Sequence, residues 1–308
     1  MTMTRVIDTS VFCSGELTVG VKNHLICLAV FNIVFSFTAI VGNSLILVAL
    51  HKETSLHPPS KVLLRGLVTS DLFVGLLEAV YAAYLISLLL EGWQICHYTF
   101  LACAIVAPGL VSVSLLTIAT ISVDRYLALS LGLRYRQVVT LKRVCVAVIV
   151  LWVYSLLTVA VSFYSRATWG ILLVTSILLC VITSISCYAG IFAKLRHHKT
   201  QVRENVQNSA NPTIPLNIKR YRKTVYGTMW LQLALVLCYL PYIVLAPLVY
   251  PKILSSQSPG SHFFILESLI TLTFFNSSLN PVVYCWKIKE VRRALKDTLK
   301  PLCCLRYQ

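Results

Sequence analysis

The stretch YTFLACAIVAPGLVSVSLLTIATISVDRYLAL, Tyr98–Leu129, carries no charge from Tyr98 to Val123 and then sets Asp124, Arg125 and Tyr126 side by side. A helix that crosses the hydrocarbon core of a bilayer needs roughly 20 mostly apolar residues. This run is long enough, and six others like it flank it. Their approximate bounds are His24–Leu50, Val62–Leu90, Val144–Phe163, Gly170–Leu195, Thr224–Val249 and Phe263–Trp286. The expected fold class is therefore all-α, an integral membrane bundle of seven transmembrane helices.

Composition agrees. The 308 residues are 57% hydrophobic and 12% charged, with a mean hydropathy of +0.77. Soluble domains carry about 25% charged residues. So few charges leave more apolar surface than a soluble core can hide. The net charge of +16 raises nucleic acid as a partner, but the basic residues fall in short blocks between the apolar runs, and a nucleic-acid domain needs no such runs.

Those blocks give an orientation. Of the 27 Lys and Arg, 23 lie in the first, third and fifth connections and the C-terminal tail, against 4 on the other side (Arg5, Lys22, Arg166, Lys252). Basic loops stay cytoplasmic, so the N-terminus is expected outside and the C-terminus inside, in the plasma membrane. The basic rim would face anionic lipid. Three parts are expected: an extracellular segment 1–23, a bundle 24–286, and a cytoplasmic part 287–308. In the last, Ile288, Val291, Leu295 and Leu299 recur at helical spacing among basic residues, which reads as an amphipathic helix on the inner leaflet. Cys303 and Cys304 follow, either S-palmitoylated or unmodified. Thr200–Leu216 reads as the longest disordered stretch, and no internal repeat suggests a transporter of duplicated halves. The N-terminal segment lacks a cleavable-signal pattern and has no Asn-x-Ser/Thr acceptor.

Ionisable groups within spans are costly and mark function. Asp71 sits mid-span, as do Asn43, Ser114, Asn276, Ser277 and Asn280. Asn276 and Asn280 are four residues apart and share a helix face. One carboxylate with several neutral oxygens suits a small monovalent cation; a water-mediated network is the other reading. Most of the 11 cysteines lie in apolar runs, and none has Cys-x-x-Cys spacing, against a zinc or redox site. Cys13 and Cys96 both fall outside the bilayer and either bridge or remain free thiols.

Several short motifs sit in order along these spans. Gly42-Asn43, Leu67-Val-Thr-Ser-Asp71, Ser122-Val-Asp124-Arg125-Tyr126, Trp152, Cys238-Tyr239-Leu240-Pro241 and Asn276-Ser-Ser-Leu-Asn280-Pro281-Val-Val-Tyr284 together resemble the helix signatures of rhodopsin-like (class A) G-protein-coupled receptors. Tyr239 stands where that family usually has Trp.

The resemblance implies a partner, a heterotrimeric G protein, and roles for these residues. Arg125 would pair with Asp124 at rest and be released toward Tyr188 on activation. Tyr284 would swing inward, and Pro241 would kink its span. Asp71, Ser114, Asn276, Ser277 and Asn280 match the family's allosteric sodium site; no other cofactor is implied. Many relatives lock the arginine with an acidic residue at the inner end of the sixth helix. Here that region is Lys219-Arg220-Tyr221-Arg222-Lys223, so a weaker lock and basal activity are expected.

The outer half departs from the common pattern. The connection Tyr164–Gly170 is short and holds no Cys, and the fifth span lacks its usual proline, with Cys180 near that place. This looks like the melanocortin, cannabinoid, lysophospholipid and adenosine-like branch, although Asn280 departs from the Asp of melanocortin receptors. Ala107 stands where amine receptors carry Asp, and Phe274 where opsins carry the retinal lysine. The expected ligand is a peptide or an apolar small molecule, in a pocket that includes Glu78, Tyr81, Ala107, Tyr242 and Phe274. Glu91 and Glu267 read as solvated helix-end charges. A channel or transporter is the alternative, disfavoured because the intramembrane polar residues form one compact group. An intramembrane hydrolase is disfavoured because every His lies at a span end or in a loop.

Overall fold

The computed structural model describes residues 9–52, 57–207, 216–255, 259–287, 292–293 and 295–296. Seven long helices run through them: α1 Lys22–Lys52, α2 Pro58–Leu89, α3 Trp93–Leu131, α4 Leu141–Ser162, α5 Arg166–Gln207, α6 Leu216–Ser255 and α7 Gly260–Lys287. Short helical turns at Thr9–Phe12 and Gly15–Thr18 precede α1, and two more at Gly132–Arg134 and Tyr135–Val138 follow α3.

The helix ends follow local chemistry. α2 starts on Pro58 and Pro59, where a missing N–H costs nothing. Thr140 caps α4 by accepting from the Arg143 N–H at 3.4 Å. α3 stops at Gly132, whose φ of +52° suits a residue without Cβ. The connection from α4 to α5 is shorter than Tyr164–Gly170. The Ser165 hydroxyl accepts from the Thr168 N–H at 3.2 Å, so the helix is already under way at Arg166. Residues 200–207, expected to be disordered, are helical and extend α5; residues 208–215 lie outside those described.

The bundle is apolar on its outside and buries its polar residues among an apolar core. Phe37, Ile149, Leu179 and Val282 are more than 60% exposed, whereas Asn32, Asn43, Asp71, Asn276 and Asn280 are fully buried. Water would reverse that pattern; lipid allows it, provided the polar groups face one another. Among the described residues, six helices are long and apolar enough to cross a membrane, and α7 is not one of them. It is 28 residues long, but Glu267, Ser268, Asn276, Ser277, Ser278 and Asn280 dilute its apolar content. Glu267, Asn276 and Asn280 turn inward while Val282 is 63% exposed, so α7 is a full member of the bundle.

α3 runs through the centre and touches α2, α4, α5 and α6, while α1 packs on α2 and α7. Small residues set the closest approaches. A Cβ on Gly42 of α1 would lie 2.8 Å from Pro281 Cγ on α7. Gly75 of α2 lets α1 come near enough for the Ser36 hydroxyl to donate to its carbonyl at 2.8 Å.

Candidate functional site

Three groups of residues along the bundle axis bear on function. The first lies mid-bundle. Asp71 of α2 is fully buried, and α7 satisfies its carboxylate. The Ser277 hydroxyl donates to Oδ1 at 2.9 Å, and the Asn280 amide donates to Oδ2 at 2.7 Å. Asn43 of α1 donates to the Ala39 carbonyl at 2.8 Å and to the Ser277 carbonyl at 3.2 Å, so three helices meet here. Ser114 is one residue removed from the expected arrangement. Its hydroxyl donates to Ser70 at 3.0 Å, the neighbour of Asp71. Among the described residues, Oδ1 of Asn43, Asn276 and Asn280 has no hydrogen-bond partner, nor does Nδ2 of Asn276. Orphaned polar atoms at this depth are rare and call for water or an ion. An all-oxygen set with one carboxylate fits a small hard cation of single charge.

The second group lies at the far end of α3. Arg125 Nη2 is 3.0 Å from Asp124 Oδ2. Two further donors hold the same carboxylate: the Ser60 hydroxyl of α2 at 3.0 Å on Oδ2, and the Tyr135 hydroxyl at 2.6 Å on Oδ1. Asp124 is 4% exposed. Burial draws the nearby His57 imidazole below its ordinary pKa, although the Asp124 carboxylate pulls the other way. Two residues before Asp124 on α3, the Ser122 hydroxyl donates to Tyr188 of α5 at 3.4 Å. Tyr126 lies against Gly190 of α5, where a Cβ would meet its ring at 2.6 Å, and Lys194 Nζ stands 5.8 Å from the ring centre. Ser60 and Tyr135 were not foreseen from sequence. A serine and a tyrosine in basic loops give no signal until the fold closes on Asp124.

Tyr239 and Tyr284 are buried in the core between these two groups, and the Tyr284 hydroxyl has no partner. Pro241, Pro247 and Pro251 lie within α6, and Pro281 lies within α7. Side chains of Lys219–Lys223 lie outside those described, as do Cys303, Cys304 and most of the expected tail helix.

The third group lies at the other end of the bundle. Glu78 is fully buried, and neither carboxylate oxygen has a partner. Tyr81 donates its hydroxyl to Glu267, and Phe274 meets the Tyr81 ring edge-on at 5.1 Å. Glu267 is 2% exposed, not a solvated helix end; its inward turn on α7 brings it to Tyr81. Glu91, by contrast, is exposed. Ala107 and Tyr242 are partly buried against the same core. The segment before α1 closes this end: a disulfide joins Cys13 to Cys96, and Phe12, Leu17 and Val21 are buried.

Residues 42–171 match the model of the family described as 7 transmembrane receptor (rhodopsin family). The matched stretch is under half of the chain and runs from α1 into the start of α5. It includes Asn43, Asp71, Asp124 and Arg125, but neither Pro241 nor the Asn280-Pro281-x-x-Tyr284 motif. With the seven-helix fold, it makes the chain a multi-pass membrane protein similar to that receptor family. The match is to the family as a whole and does not favour the melanocortin, cannabinoid, lysophospholipid or adenosine-like branch.

Proposed function

We propose that this chain is a plasma-membrane receptor that carries an extracellular signal to a cytoplasmic heterotrimeric G protein, with its N-terminus outside. The observation that supports this reading best is the Asp124–Arg125 pair at the end of α3 remote from the N-terminal segment. A buried carboxylate that holds an arginine, and is itself held by Ser60 and Tyr135, is a latch with two arrangements. Hydrogen bonds to a charged group contribute about 1.5–3 kcal/mol each, so release of Arg125 must be offset by new contacts on the partner. A ligand at the opposite end shifts that equilibrium by its differential affinity for the two states. Tyr188 stands beside the latch to receive the freed arginine. The Tyr284 hydroxyl, without a protein partner among the described residues, is open to a water or to a rearranged neighbour.

Asp71, Asn276, Ser277 and Asn280, with Ser114 behind Ser70, are the residues that would hold a sodium ion, which supplies positive charge to the buried carboxylate. Because α2 and α7 both contribute, an ion there favours the packed resting arrangement. Cys303 and Cys304 are proposed lipid attachment points. The aromatic cluster of Tyr81, Tyr242 and Phe274 supports a peptide or apolar small molecule as ligand. No observation favours the channel reading. A second-messenger screen against peptides, lipids and nucleosides tests the proposal, with Arg125→Ala as the silent control. Equal responses of wild type and variant to every ligand, with ligand-dependent conductance in a bilayer, would replace the receptor with a channel.

A further inference from the structure

The N-terminal segment is gripped at Phe12 in a particular manner. Its ring is 5% exposed and stacks on Phe100 of α3 at 5.0 Å and Tyr250 of α6 at 5.7 Å. Its backbone carbonyl accepts from the Tyr84 hydroxyl of α2 at 3.1 Å. The next residue, Cys13, is bonded to Cys96 at the start of α3. Gly260 of α7 leaves room for the segment as it passes: a Cβ there would lie 2.6 Å from the Val19 carbonyl and 3.2 Å from that of Leu17. Below Phe12 the core continues through Tyr84, Tyr81 and the buried Cys103. Three helices, α2, α3 and α6, thus hold an aromatic side chain in an aromatic slot and read the main chain beside it with a buried hydroxyl. Peptides are held in the same way, by an aromatic anchor and main-chain hydrogen bonds.

We infer that this end of the bundle is a peptide seat whose resident occupant is the chain's own Val11–Cys13, with Phe12 as the anchor, and that a peptide ligand enters by placing an aromatic side chain in the same slot. The last clause rests on the receptor reading; the seat and its occupant do not. The disulfide makes the occupant a tethered competitor. A short tether gives an effective concentration in the millimolar range. An untethered peptide must therefore out-compete Phe12 in the native chain, and meets no such competition once Phe12 is removed.

Cys103 reports on the seat without any signalling. It is a free thiol, 6% exposed, three residues beyond Phe100 on α3. The full-length protein on intact cells is treated with a membrane-impermeant cationic methanethiosulfonate, and the signal lost in Cys103→Ser is taken as Cys103. Phe12→Ala, which keeps the disulfide, should speed labelling about tenfold or more, equivalent to about 1.4 kcal/mol. A synthetic peptide of residues 9–17 with Ser in place of Cys13 should restore protection to that variant, whereas the same peptide with Ala in place of Phe12 should not. Should Phe12→Ala fail to reach the surface, Phe12→Leu serves, with an acceleration of about threefold. Equal labelling of wild type and variant overturns the occupant, and equal protection by the two peptides overturns the aromatic anchor. Neither result touches G-protein coupling, which the assay does not read.

Discussion

Asp124 accepts from three donors, and each affects how firmly Arg125 is held. Tyr135→Phe removes the shortest of these bonds, 2.6 Å, without changing shape. A lost bond to a charged group is worth about 1.5–3 kcal/mol, so basal G-protein activation per surface receptor should rise about tenfold, with Ser60→Ala rising less. Unchanged basal activity in both variants would mean that the latch rests on Arg125 alone. This network also bears on the sixth helix, whose inner end has no acidic residue between Lys219 and Lys223. Ser60 and Tyr135, from α2 and the second basic loop, hold the carboxylate that pairs with Arg125. At the other end, Tyr81→Phe strips the buried Glu267 of its donor. Such a loss costs about 1–3 kcal/mol and should lower the thermal midpoint of the purified protein; Glu267→Gln in the Tyr81→Phe background should recover part of it. A midpoint equal to wild type in Tyr81→Phe would show that Glu267 has another partner.

Helix contacts depend on where side chains are missing. α1 meets α7 at Gly42, where a Cβ would press on Pro281 at 2.8 Å. Pro281 is rigid and α7 is anchored by its bonds to Asp71, so neither side yields easily. Gly42→Val should cost about 1–3 kcal/mol by overpacking and lower surface expression. Gly170→Val serves as control, since nothing lies within 4 Å of its added Cβ. Equal surface levels of the two variants would show that α1 can slide along α7. The same reasoning separates what was legible in each element. α4 reads as a span because it is apolar nearly all round. α7 also reads as a span, Phe263–Trp286, but its apolar run is diluted by the polar residues that the bundle buries.

In the whole bundle, α2, α3 and α7 between them carry the buried carboxylates Asp71, Asp124 and Glu267. If sodium occupies the mid-bundle group, replacing external sodium with choline should raise basal signalling of wild type severalfold, and Asp71→Asn should abolish that dependence. A sodium response that survives in Asp71→Asn would place the ion elsewhere. The fold class was legible because it depends on quantities that add along the chain: length of apolar run, scarcity of charge, and the side on which lysine and arginine fall. The motif residues were legible for a similar reason, since each lies at a fixed spacing within one helix. What sequence could not supply was pairing between helices. It did not place Ser60 and Tyr135 on Asp124, turn Ser114 to Ser70, or carry Glu267 from an expected solvated end to a buried bond with Tyr81. Nor did it seat Phe12 between Phe100 and Tyr250. Apart from Tyr135 on Asp124, which a turn after α3 brings back, each of these contacts joins residues far apart in the chain, and only the packing of seven helices in three dimensions decides which of them meet.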